Sequence, residues 1–69
     1  MNKEEVRNAV ITRVNEWKKH RRFASMSATS YQYEYGMGII SGMISAFRKA
    51  GFITKEDGFE ILEEAQNLI

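Results

Sequence analysis

GMGIISGMISAF, residues 36–47, runs for twelve positions without a charged side chain in a chain of 69 residues. A membrane-spanning helix needs about 20 consecutive apolar residues, so this run is too short to cross a bilayer. Wound as a helix, it is apolar around most of its circumference, which is the pattern of an element covered on more than one side. It is therefore expected to be the central, buried helix of a small soluble domain, with the rest of the chain folded around it.

The borders of that helix follow from its neighbours. Upstream, Tyr31, Tyr33 and Tyr35 alternate with Gln32 and Glu34, a strand-like rhythm. A lone five-residue strand would leave its hydrogen-bonding ladder unpaired, so helix is the better reading. The stretch FASMSATS, residues 23–30, has no apolar period, and its small hydroxyl side chains compete for backbone hydrogen bonds and favour turns. Thr29 and Gln32 form a capping-box pair, which starts the helix near residue 30. Downstream, Gly51 suits the left-handed position just past a helix end, and Phe52 can then fold back on Phe47.

Two further helices flank the central one. Val6, Val10, Val14 and Trp17 recur at helical spacing, with Ala9 beside them, and predict a helix over about 3–22. Asn2 and Glu5 form its capping box, and Lys18, Lys19, Arg21 and Arg22 complement the dipole at its other end. After the short link Gly51-Phe52-Ile53, Thr54 offers an N-cap hydroxyl followed by the acids Glu56 and Asp57. The third helix is expected over about 55–68. Ile61, Leu62, Ala65, Leu68 and Ile69 share one side, Phe59 lies at its edge, and Glu60, Glu63, Glu64 and Asn67 face water. The fold class is thus all-α, one three-helix domain over residues 1–69, with helices at about 3–22, 30–50 and 55–68.

Size and composition bear on how such a domain is held together. A chain of about 60 residues buries only about 60% of its unfolded surface, and small domains lean on disulfides, metals or self-association. There are no cysteines and only one histidine, His20. Disulfides and thiolate or histidine-cluster zinc sites are excluded, which leaves a homodimer as the expected support. The N-terminal stretch MNKEEVRNAV lacks the apolar core of a signal peptide, and a cysteine-free chain fits a reducing compartment. The expected location is cytoplasmic, away from the membrane.

Charge is unevenly spread. Residues 1–22 hold seven Lys or Arg against three Glu, whereas residues 51–69 hold one against five acids. A basic front and an acidic tail are expected to attract each other across a helix–helix contact.

Little in the sequence supports catalysis. Any nucleophile would need His20 as its base, and Lys18, Lys19, Arg21 and Arg22 around it make imidazole a poor proton acceptor. Glu60, Glu63 and Glu64 share a helix face but lack a histidine partner, so a metal centre is not expected. Gly36-Met37-Gly38 is not followed by the Lys-Ser/Thr pair of a phosphate loop. The expectation is a non-enzyme without a cofactor.

Two features remain as candidate binding surfaces. Gly38, Gly42, Ala46 and Ala50 fall every four residues and form a ridge of small side chains, widened by Ser41 and Ser45. An interior helical glycine costs roughly 1 kcal/mol relative to alanine, so a close approach along this ridge is expected. The partner would be another helix of the same chain or the same helix of a second copy, and Gly42→Leu should then damage packing. Met37, Gly38, Ile39, Gly42, Met43, Ala46 and Phe47 are the candidate helix-packing or dimer interface. The second feature is basic: Arg13, Lys18, Lys19, Arg21 and Arg22, with Trp17 and Phe23 beside them, are candidate nucleic-acid contacts. A helix-turn-helix is not expected, because the third helix carries five acids that would repel phosphates.

The stretch YEYGMGIISGMISAFRKAGFITKEDGFEILEEA, residues 33–65, resembles small accessory proteins encoded by bacteriophages and prophages, in which a Tyr- and Gly-containing helix precedes a turn and an acidic helix. The resemblance implies a protein that acts by binding, blunting a host or defence factor or adjusting gene expression. The favoured functional expectation is a non-catalytic module that binds and modulates a protein partner. The alternative is a small nucleic-acid-binding protein.

Overall fold

The computed structural model describes residues 1–20 and 30–69. Three helices make up the fold: α1 (Lys3–His20), α2 (Ser30–Lys49) and α3 (Lys55–Leu68). Arg21 and Arg22, which the sequence places at the end of the first helix, and residues 23–29, expected as a turn that includes the Thr29 half of the second helix's capping pair, lie outside the described residues. The tyrosine alternation over 31–35 is helical, as expected, and α2 ends one residue earlier than the sequence predicts.

Local chemistry explains the helix ends. The Asn2 side chain accepts from the Glu5 amide at 2.9 Å, and the Asn2 amide donates back to the Glu5 carboxylate at 3.1 Å. This closes the capping box that opens α1. At the end of α2, Gly51 adopts φ 83°, the left-handed conformation that glycine enters without steric penalty. The Gly51 amide donates to the Arg48 carbonyl, and the Phe52 amide reaches back to the Phe47 carbonyl. That pair of bonds defines a Schellman ending, and its usual apolar contact is present as Phe47 against Phe52, ring centroids 6.3 Å apart. Two residues on, Thr54 and Asp57 form a second reciprocal capping box and start α3.

The core is one cluster drawn from all three helices and the link between α2 and α3. Val6, Val10 and Val14 come from α1, Ile40 and Ile44 from α2, Ile61 and Ala65 from α3. Ile53, in the link itself, is buried with them. Ile11, Met43, Phe47, Leu62 and Ile69 pack partly buried around this centre. Helix α2 is buried along one face only, and its other side carries exposed Tyr35, Gly38, Gly42 and Ala46.

The direction of the helices is written in their ion pairs. Lys3 binds Glu60 and lies 3.4 Å from Asp57, and Arg7, one turn further along α1, binds Glu64, one turn further along α3. Both long-range pairs span 57 residues of sequence, so α1 and α3 run parallel and in register. Tyr33 near the start of α2 accepts from Gln66 near the end of α3, which sets α2 antiparallel to both. The expected attraction between a basic front and an acidic tail is therefore real, but it is made by Lys3 and Arg7 at the opening of α1.

These contacts give the fold a pH dependence with a defined sign. Asp57 is held below its ordinary carboxylate range, first by the backbone amide of Thr54 and then by Lys3. Glu64 is lowered by its hydrogen bonds from Arg7. Lowered carboxyl groups stabilise the fold above the ordinary carboxylate range, and that contribution is lost as pH falls through their folded values. Lys3 is raised, first by its hydrogen bond to Glu60, and Arg7 by Glu64, so their contribution persists at neutral pH and is lost only in strong alkali. The melting temperature is expected to fall as pH drops below the ordinary carboxylate range of about 4, and the fall should be shallower in Glu64→Gln. An acid limb identical in parent and variant would show that the Arg7–Glu64 pair contributes nothing measurable.

Candidate functional site

Three surfaces bear on function: the outward side of α2, the C-terminal half of α1, and a groove where α2 meets α3. The first is expected from the sequence to be a packing surface, and among the described residues nothing packs on its small-residue ridge. An added Cβ at Gly38 or at Gly42 would meet no atom within 4 Å. Ala46 and Ala50 are exposed as well, so among the described residues no helix packs against the small-residue ridge. The described residues supply no intrachain partner there, and Gly42→Leu would meet no clash with them. The reason is rotational: the core-facing residues Gly36, Ile40, Ile44 and Phe47 claim the opposite side of α2. Of the other candidate interface residues, Met43 and Phe47 pack against the core, and Met37 and Ile39 are half-buried.

The glycines that do permit close approach are two others. A Cβ on Gly36 would stand 3.3 Å from the Trp17 ring and 3.4 Å from the Ile69 Cδ1 atom. One on Gly58 would stand 3.1 Å from the Ile44 Cγ2 atom. Gly36 thus seats Trp17 against α2, and Gly58 lets α3 close on α2 at Ile44.

Three of the five basic candidates fall among the described residues. Arg13 is half-buried beside Trp17 and Ile39, at a cleft between α1 and α2 with no room for a water molecule. Lys18 is half-buried and Lys19 exposed near the end of α1, while Arg21 and Arg22 lie outside the described residues. Among the described residues, no group of three or more His, Cys, Asp or Glu side chains is placed to hold a metal ion. Glu60 and Glu64 are engaged by Lys3 and Arg7, and Glu63 faces solvent. No described helix is long and apolar enough to cross a membrane.

A groove runs between α2 and α3. It encloses about 130 Å³ and stands open to solvent along one side. Ile44, Gly58 and Leu62 form its base, and Ser41 and Ser45 line the α2 wall. Phe59, 58% exposed, forms the α3 wall, and Arg48 and Lys55 close one end. The Lys55 ammonium sits 5.8 Å from the centre of the Phe59 ring, within range of a cation–π contact. Neither Arg48 nor Lys55 has an acidic partner among the described residues. The sequence reading missed this site. Its one legible sign was Phe59, a large aromatic off the apolar stripe of α3 and one turn beyond Lys55.

No protein-family model, curated protein or solved structure matches the chain.

Proposed function

We propose that this chain is a non-catalytic, cytoplasmic interaction module that binds and modulates a protein partner. The observation that carries the reading is the α2–α3 groove, an apolar hollow with an exposed aromatic wall and two cations that have no acidic partner among the described residues. Its volume favours a protein partner over a small molecule. Ligand pockets for drug-sized molecules occupy about 300–1,000 Å³, and this hollow encloses about 130 Å³. A phage-encoded inhibitor of a host or defence factor is the biological setting that the resemblance of residues 33–65 implies. In the same reading two copies associate through the outward side of α2, where Tyr35 is 56% exposed beside Gly38 and Gly42.

The test is in-cell cross-linking of the tagged chain, followed by mass spectrometry, with retention on immobilised DNA and RNA measured across a salt series. A cross-linked protein partner that survives nuclease treatment is the expected result. Retention on nucleic acid with a steep salt slope, without a protein cross-link, would overturn the proposal, because that slope is the signature of phosphate neutralisation.

A further inference from the structure

Resting on that reading, we infer that the α2–α3 groove takes an acidic peptide segment that inserts one apolar side chain beside a carboxylate. The hollow decides the first half. An apolar cavity of about 150 Å³ accepts a benzene-sized group, and the groove's 130 Å³ has room for a Phe- or Leu-sized side chain. Ile44 and Leu62 offer that side chain an apolar seat, and the exposed Phe59 ring covers it from one side.

Charge decides the second half. The acids of α3 that face α1 are already engaged: Asp57 and Glu60 by Lys3, and Glu64 by Arg7. Arg48 and Lys55, at the groove's end, have no such partner among the described residues. A carboxylate delivered next to the anchor would meet both cations at the edge of an apolar surface, where the attraction is screened less than in open water. A nucleic acid fits less well. Its affinity comes from many phosphates meeting many cations, and this groove is lined by two, Arg48 and Lys55.

The probe is a short peptide with one Phe flanked on each side by three Glu, titrated into the isotope-labelled chain and followed by amide chemical shifts. Shifts are expected at Ser41, Ile44, Ser45 and Leu62. Replacing the peptide's Phe by Ala should weaken binding about tenfold or more, as truncating a buried anchor does, and this comparison leaves the protein untouched. Phe59→Ala and the double variant Arg48→Glu/Lys55→Glu, all at exposed positions, should each cost a similar factor while melting like the parent. The inference is overturned by an absence of shifts at millimolar peptide, by shifts confined to Lys18 and Lys19, or by binding indifferent to the peptide's Phe. It is overturned equally if an oligothymidylate binds the same residues as tightly. A cross-linked cellular partner that the double variant retains in full would also overturn it, leaving the interaction-module reading in place. Because the titration uses purified chain, a failure to capture any cellular partner counts against the module alone.

Discussion

Ile40→Ala is expected to remove about 2–5 kcal/mol of stability, the range for truncating a fully buried isoleucine. Ile40 is 2% exposed and belongs to the cluster in which all three helices meet. The loss combines transfer of the deleted carbons with the cavity they leave, and a core fed by three elements cannot collapse to fill it. A domain of this size has a total stability on the order of 3–10 kcal/mol, so the variant retains little reserve. In small domains each kcal/mol shifts the melting temperature by roughly 4–8 °C, and a drop of about 10 °C or more should appear by circular dichroism. A variant that melts within a few degrees of the parent would mean that Ile40 is not at the centre of the core.

The second large effect is a contrast between two glycines of one helix. Gly36→Leu and Gly42→Leu both replace a helical glycine, and both gain up to about 1 kcal/mol in helix propensity. That gain cancels when the two variants are compared, so the difference reports packing alone. At Gly36 the new side chain meets the Trp17 ring and Ile69, both within 3.4 Å of the first added carbon. Overpacking of this kind costs about 1–3 kcal/mol. At Gly42 nothing lies within 4 Å, and the variant should melt at or above the parent at low concentration. Melting measured over a wide concentration range adds a second answer. If two copies associate through this side of α2, Gly42→Leu should abolish any rise of melting temperature with concentration. Equal losses in the two variants would contradict the outward orientation of Gly42.

The same contrast shows what the sequence could and could not convey. Helix ends were legible because their chemistry is local: Asn2 with Glu5, Thr54 with Asp57 and Gly51 with Phe52 each act within a few residues. The valine stripe of α1 was legible because helical period alone aligns Val6, Val10 and Val14. Rotation of α2 about its axis was not. That helix is apolar almost all round, so period could not say which of its glycines faces the core, and Gly38 and Gly42 were favoured over Gly36. Ile53 escaped notice because it belongs to no periodic segment, yet it is 6% exposed. The groove needed the same missing information, since Arg48 joins Lys55 and Phe59 only when α3 folds back along α2.

The turn between α2 and α3 has a consequence for the order in which the chain assembles. Its hydrogen bonds, from the Phe52 amide to Phe47 and between Thr54 and Asp57, close loops of only a few residues. Closing them costs the unfolded chain little entropy, whereas the pairs Lys3–Glu60 and Arg7–Glu64 each close a loop of 57 residues. Contacts of short range form early and those of long range wait on prior ordering. The α2–α3 hairpin is therefore expected to order early, giving α1 a surface whose carboxylates are already in line to receive it.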